Sequence, residues 1–405
     1  MHIHLASEPA ITHAIEAGDY ELALEIMTFG VDRTCIAPEW TGKALYYPGL
    51  DLQMARLAGI LGQPRPASPG GTMVIATELY QSGGHSRIAL DILRESPSPI
   101  LVLTDLFSSY NRRGESLDWV KEALPGITIA VLPRVNLWEK CRALHTLVRE
   151  MNPQNVLFLQ HHQDPIPFVA TLNHSARKIL VHHIDYQPSL GCTLEGIRHV
   201  DLHEEATENC AFHLNHPCQM LPLYAPDQGV IAQTNCPSVI MCADERKLAM
   251  PIFRDIVTTT LGVIHGRFYH AGVIPQGWVE EIQSVVGDRF VPMGRVKNLW
   301  TVIKTLDVFA AIGPAPIGAN LTAIEYQGAG LGVIYYKPKA MSIANVESIY
   351  GYRNWGWSTL EELAEKVALA QDYQASSRHY ARKFYLDYHS LAPFRAALHD
   401  ILEGE

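Results

Sequence analysis

The sequence has no CxxC pair. Its seven cysteines stand at scattered spacings and leave an odd one over, which argues against a disulfide frame and for free thiols in a reducing compartment. Positive charge is scarce too: 32 Lys and Arg face 42 Asp and Glu, a formal net charge of -10. Nucleic acid is therefore not the expected partner, because phosphate binding draws on a surplus of basic side chains. A local basic pocket for one phosphorylated ligand stays open. Nowhere do about 18 uncharged apolar residues follow one another, so no transmembrane segment is expected. The opening stretch MHIHLASEPAITHAIEAGDYE has neither a basic n-region nor a long apolar h-region, and the expectation is a soluble cytoplasmic protein. No segment recurs at a fixed period, so no repeat array is expected.

What is present is a folded composition, 47% hydrophobic and 18% charged over 405 residues, long enough for two domains and an appendage. Residues 1–66 show helical spacing of apolar residues in AITHAIEAGDYELALEIMTFG and GLDLQMARLAGILG, ending in the Pro/Gly-rich break GQPRPASPGG. These helices have three roles open to them: self-association, packing on the following unit, or meeting a protein acceptor.

From Thr72 onward, short apolar runs alternate with helical patterns. TMVIAT, PILVLTDL, ITIAVLP, VLFLQH and KILVHHID read as strands. Their apolar residues are continuous rather than alternating, the mark of a parallel sheet covered on both faces. After a less regular stretch at 191–237 the alternation resumes with PSVIMCA, GVIHGRFYH, RFVPMGRV, DVFAAIG and LGVIYYK. The predicted architecture is α/β: two Rossmann-like domains facing a cleft, at 67–228 and 229–372, preceded by the helical region 1–66. A C-terminal helical segment, 373–405, crosses back. Ligands in such sheets bind at the carboxyl ends of the strands.

Two motifs fall at such ends. In TELYQSGGHSRIALDIL the strand turns through Gly83 and Gly84 into a helix, with His85 at the helix N-terminus. Glycine takes backbone angles closed to other residues, and the positive helix end favours the neutral imidazole that can act as a general base. The plainer alternative is that His85 caps its own helix or bonds within the turn. In GPAPIGANLTAIEYQGAGLGVIYY, small residues with Asn320 and Thr322 open a helix whose amides would cradle a diphosphate. Glu325, one turn in, could accept both hydroxyls of a ribose or of a sugar. Its plainer alternative is an acidic residue complementing the helix dipole. GxGxxG follows the first strand of neither half, which argues against a dinucleotide-dependent oxidoreductase.

Together, the GGH loop, the TAIEYQGAGLGVI helix and the long terminal helix resemble the GT-B glycosyltransferases over about residues 72–400. The TxxEyxxxGlgvI stretch is similar to that superfamily's nucleotide-sugar signature. The SGGH junction is similar to the loop carrying the base histidine of peptidoglycan-precursor N-acetylglucosaminyltransferases. The resemblance implies a metal-independent transferase with a nucleotide-diphosphate sugar donor, no cofactor, and a glycan, lipid or protein acceptor. It implies that Glu325 binds the ribose, that Asn320, Leu321 and Thr322 face the diphosphate, and that Gly83 and Gly84 lie by the donor. Arg246 and Lys247 of CADERKLAMP would neutralise the leaving group, unless they are a solvent-facing pair. Met293, Gly294 and Arg295 would sit near the base.

Two departures matter. Gly332 stands where many members have proline, and Ile317 occupies the position eight before Glu325, where retaining members carry a second acid. The missing acid points to an inverting enzyme with a base, hence to His85. A nucleotide-sugar epimerase or hydrolase, or a non-catalytic binding module, are the alternatives.

The histidine-rich middle, HHQDPIP and VHHIDYQPSLG, follows predicted strands, so His161, His162, His182, His183 and Asp185 are expected to reach the crevice of His85. VHHIDYQPSLG also resembles a stretch in a set of bacterial GT-B proteins. His183 and Asp185 are expected at the acceptor or donor-sugar site, with Asp185 orienting an imidazole. Cys210, His213, His216 and Cys218 in CAFHLNHPC match no familiar zinc spacing, and no metal is expected.

Overall fold

The computed structural model describes residues 3–35, 46–62, 70–81, 83–183, 189–232, 235–318, 321–337, 347–351 and 353–404. The chain divides into two compact units, Met1–Leu221 with Leu398–Glu405, and Pro222–Ala397. These limits differ from the expected breaks after 66, 228 and 372: the N-terminal helices share the first unit's core, and the second unit runs from Pro222 through Ala397.

The first unit opens with α1 (Glu8–Glu16), α2 (Tyr20–Cys35) and α3 (Pro48–Leu61), then runs β1 (Thr72–Ala76), α4 (Gly84–Glu95), β2 (Ile100–Leu103), α5 (Asp118–Ala123), β3 (Thr128–Val131), α6 (Leu137–Met151), β4 (Asn155–Leu159), α7 (Ile166–Thr171), β5 (Arg177–His182), β6 (Ile197–Asp201), α8 (Glu204–Leu214) and β7 (Gln219–Met220). The strands form one parallel sheet in the order β3-β2-β1-β4-β5-β6-β7. Every residue of β1, β2 and β4 is buried, as the unbroken apolar runs require. The strand order reverses between β1 and β4, and a crevice opens at such a point because the connections leave in opposite directions. β6 and β7 lie inside the stretch read from sequence as irregular. IRHVD interleaves polar with apolar residues and lacks the continuous run that marks its neighbours.

Of the three roles open to the N-terminal helices, the structure shows packing on the first sheet. Ile11, Leu24, Met27, Leu50, Met54 and Leu57 share one core with Val156, Phe158 and Phe168. The buried Asp51 carboxylate accepts from the Gly191 and Thr193 amides, each at 2.8 Å, and from the Thr193 hydroxyl at 2.6 Å. Glu21 accepts from the Leu137 and Trp138 amides at 3.0 and 2.7 Å, satisfying donors at the start of α6 that have no intrahelical partner.

The second unit runs β8 (Ser238–Cys242), α9 (Ile252–Val263), β9 (Phe268–Ala271), α10 (Gln276–Val286), β10 (Phe290–Gly294), α11 (Leu299–Ile303), β11 (Val308–Ile312), α12 (Leu321–Gly328), β12 (Gly332–Tyr336), β13 (Gly356–Trp357), α13 (Leu360–Asp372), α14 (Gln374–Phe384) and α15 (Leu391–Glu403). Its parallel sheet has the order β10-β9-β8-β11-β12-β13, reversing between β8 and β11. Gly332, the departure from the proline pattern, has a packing reason. A Cβ there would lie 2.5 Å from the Ser377 hydroxyl of α14. The single terminal helix expected from sequence is interrupted by a π-helical turn at Tyr385–His389. That turn is held by the Tyr385 hydroxyl donating to the Ala225 carbonyl at 2.7 Å and by the His389 Nδ1 on the Leu223 carbonyl at 2.8 Å. The chain then returns to the first unit, where Arg198 donates to the carbonyls of Ile401 and Gly404, both at 2.7 Å. Among the described residues no helix is long and apolar enough to cross a membrane.

Replacing Asp51 with Ala strands two amides and a hydroxyl in the core. The first unit should lose about 3 kcal/mol, read as a lower urea midpoint, whereas the exposed Glu25→Ala should change it by less than about 0.5 kcal/mol. Equal midpoints for Asp51→Ala and wild type would show that the N-terminal helices are not anchored this way.

Candidate functional site

At the reversal point of the first sheet, β1 and β4 are tied twice. The Thr77 hydroxyl, just past β1, accepts from the His161 amide at 2.8 Å, and His85 reaches the Leu159 carbonyl at 2.7 Å. A carbonyl can only accept, so His85 carries its proton on Nε2 and its lone pair on Nδ1. Nδ1 is covered from solvent and has no hydrogen-bond partner among the described residues. His85 thus neither caps its own helix nor bonds within its turn. It ties the start of α4 to the end of β4. Gly83, at φ +138°, supplies the backbone angle that lets the chain enter α4 there. Space is not the reason, since a Cβ at Gly83 would touch none of the described residues. Gly84 opens the helix beside it.

Three imidazoles gather at this point. The His85 ring centroid lies 4.5 Å from that of His183 and 5.4 Å from that of His161. Burial holds His85 below the ordinary imidazole value, against the opposing Leu159 bond. Burial, followed by the neighbouring rings, pushes His161 down to about 3 and keeps His183 well below the ordinary range. Burial alone lowers His162 to about 4. The cluster is therefore neutral near pH 7.

Beneath the rings lies a polar scaffold that sequence reading missed. Asp164, fully buried, accepts from the hydroxyls of Thr77 and Thr104 at 2.7 and 2.5 Å and from the Ile166 amide at 3.0 Å. The buried Lys140 ammonium donates to the carbonyls of Thr104 and Asp105 at 2.7 and 2.6 Å. These bonds lock the ends of β1, β2 and β4 together. The only sequence signal was polar residues directly after apolar strands.

One expectation is corrected. His182 does not reach this crevice. Successive strand residues point to opposite faces, so His183 joins His85 while His182 turns away, its Nδ1 3.0 Å from the Asp201 carboxylate. Cys210 joins His182 there, with Sγ to Nδ1 at 3.5 Å. The CAFHLNHPC residues do not converge as a set: His213 packs its ring toward Tyr46 at 6.1 Å and His216 toward His199 at 6.2 Å. Asp185 and Asn320 lie outside the described residues.

At the reversal point of the second sheet, the loops after β8 and β11 are also joined. Lys247 donates to the Gly318 carbonyl at 3.0 Å, and Leu248 bridges Pro316. Lys247 is thereby half-buried beside the approach to α12, while Arg246 is exposed. Leu321, Thr322 and Glu325 lie half-buried in the first turns of α12. Glu325 reaches the end of β8: burial, then Glu325 and Asp244, push the Cys242 thiol up to about 12. At the neighbouring strand end the Gly272 amide donates to the Gly294 carbonyl at 2.8 Å, and Arg295 lies 3.9 Å from Asp244. Met293 is half-buried in β10, while Gly294 and Arg295 are exposed. Lys247, Thr322, Glu325 and Arg295 thus belong to loops and a helix start at one edge of one sheet.

Two parallel sheets, each reversing order beside its first strand, make the GT-B plan, and comparison with solved structures shows that fold. A mutant of the Thermobaculum terrenum O-GlcNAc transferase matches with a TM-score of 0.58 at 13% identity, covering 97% of this chain and 79% of that one. A glycosyltransferase from Rickettsia africae matches with a TM-score of 0.63 at 12% identity, covering 84% of this chain and all of that one. HepE of Anabaena, in complex with UDP and glucose, matches with a TM-score of 0.57 at 10% identity over 83% of this chain and 100% of that one. No protein-family model and no curated protein matches the sequence.

The lowered histidines make stability depend on pH with a definite sign. A ring that stays neutral in the fold but protonates near 6.5 when unfolded contributes fully above that pH. The contribution is lost as pH falls from 6.5 toward 4 and 3, the values of His162 and His161. Unfolding free energy of wild type should fall over pH 6.5 to 4 more steeply than that of His161→Gln/His162→Gln, by on the order of 1 kcal/mol per pH unit. Parallel curves would contradict the neutral cluster.

Proposed function

We propose that the protein is an inverting glycosyltransferase that moves a sugar from a nucleotide-diphosphate donor to an acceptor hydroxyl. One observation carries the reading: on a GT-B fold, a neutral imidazole with its tautomer fixed holds a lone pair for which the described residues supply no donor. Such a group costs about 1–3 kcal/mol when buried unpaired, and an incoming hydroxyl would satisfy it. His85 Nδ1 takes the hydroxyl proton as the acceptor oxygen attacks the anomeric carbon. The bond from that carbon to the diphosphate breaks, and its electron pair leaves with the diphosphate. Displacement from the opposite face inverts the centre.

The second unit holds the donor. Glu325 accepts from the ribose hydroxyls, and the amides opening α12, from Asn320 through Leu321 and Thr322, face the diphosphate. Lys247, already aimed at the same loop by its bond to Gly318, and Arg246 balance the charge that builds on the leaving group. Met293, Gly294 and Arg295 line the base. Gly83 and Gly84 let the loop before His85 come close to the donor, while His183 and Asp185 orient the transferred sugar or the acceptor. Helix amides and basic side chains do the electrostatic work in this scheme, so no catalytic metal or cofactor is called for. UDP-sugars are the first donors to test, given the UDP and glucose of the HepE complex. Free thiols and a sugar-nucleotide donor both fit the cytoplasm.

Screening a UDP-sugar panel for donor consumption, with and without glycan, lipid and peptide acceptors, tests the reaction class. Consumption that needs no acceptor would replace transfer with hydrolysis or epimerisation. His85→Ala should lower turnover by at least about 100-fold with nucleotide binding nearly unchanged, and Glu325→Ala should weaken nucleotide binding instead. Because the His85 pKa is lowered, the acidic limb of kcat/KM should fall below pH 6.5. Full activity in His85→Ala would remove His85 as the base.

A further inference from the structure

The residue next to His183 opens onto a second constellation that glycosyl transfer does not use. His182 at the end of β5, His199 and Asp201 on β6, and Cys210 on α8 are all buried, at 3, 2, 0 and 1% exposure. One ligand atom from each lies within 4.8 Å of every other. The contacts are 3.0 Å from His182 Nδ1 and 3.2 Å from His199 Nε2 to Asp201 Oδ1, then 3.3 Å from Cys210 Sγ to that oxygen and 3.5 Å to His182 Nδ1.

The geometry points to a structural zinc site at this position, with His182, His199, Asp201 and Cys210 as its four ligands. This goes beyond the glycosyl-transfer reading and does not depend on it.

Four lines of physical chemistry converge. Zinc bonds of about 2.0–2.3 Å at a tetrahedral centre separate neighbouring ligand atoms by about 3.3–3.8 Å, close to the spacing found. The donor set is two imidazoles, a thiolate and a carboxylate, the borderline-soft mixture zinc selects. Two anionic and two neutral ligands cancel a divalent charge, so the loaded site is neutral in an interior that would penalise a net charge. Finally, the contacts crowd onto one point: a single oxygen of Asp201 faces two imidazoles and the thiol, while its other oxygen is buried with no partner among the described residues. A network built for hydrogen bonding would use both. The Tyr46 hydroxyl donates to Cys210 Sγ at 3.2 Å, the outer hydrogen bond that stabilises a metal-bound sulfur.

The topology explains the placement. His182 and Asp201 are register partners on adjacent parallel strands, His199 shares the Asp201 face two residues earlier, and α8 brings Cys210 over that face. A site with four protein ligands leaves no open position for substrate, which is the structural kind. Its work would be to pin α8 to the β5–β6 edge and, through His182, to fix the strand end that presents His183 to His85.

Metal analysis of the full-length protein, desalted after exposure to Zn2+, should give about one zinc per chain that survives a weak chelator. Cys210→Ala and His199→Ala should each retain less than about a tenth of that, while His216→Ala retains it all. Should those variants fail to fold, cobalt-loaded wild type decides. Tetrahedral visible bands with a thiolate-to-cobalt charge-transfer band support the site, and weak octahedral bands alone overturn it. Wild type without stoichiometric zinc, or zinc kept equally by Cys210→Ala, also overturns it.

Discussion

The hydrogen bond from His85 Nε2 to the Leu159 carbonyl decides the chemistry of the first unit. It joins the start of α4, the helix that follows β1, to the end of β4, and the sheet order reverses between β1 and β4. It also settles which nitrogen holds the proton, and so leaves Nδ1 as the basic atom. The buried Asp164 and Lys140 contacts beneath it make the strand ends rigid. A ring in that setting is held by the scaffold and not by its own helix turn, and pre-positioning of this kind is what a general base requires.

The second unit repeats the logic with different chemistry. Its order also reverses beside its first strand, and there the loops carry a lysine, a helix start and a carboxylate in place of imidazoles. One sheet edge thus offers proton acceptors and the other offers groups for an anion and for hydroxyls. The proposed zinc site sits one residue behind His183, on the opposite strand face, where it would stiffen the edge that carries the imidazoles.

Much of the fold was legible because parallel strands buried on both faces write themselves as unbroken apolar runs. All five strands expected in each half are present. IRHVD escaped because its polarity breaks the run by which a strand is recognised: His199 and Asp201 face one buried cluster, while Arg198, on the other face, donates to the Ile401 and Gly404 carbonyls. The same blind spot hid His199 and Asp201. An i, i+2 His and Asp pair, which shares a face only in a strand, was the available signal. His182 was misplaced for a related reason, since adjacent histidines were read as a pair and the strand pleat separates them. The terminal helix was read as one because the pattern on either side of the π-helical turn is equally helical. Only tertiary bonds from Tyr385 and His389 mark the break.

The state of the His85 ring tests the account most directly. Nitrogen-15 spectra of histidine-labelled protein, with His85 assigned by its loss in His85→Gln, report which ring nitrogen is protonated. The account predicts a neutral ring at pH 6.5, with a pyrrole-type Nε2 and a pyridine-type Nδ1. A ring protonated on Nδ1, or an imidazolium at that pH, would contradict it.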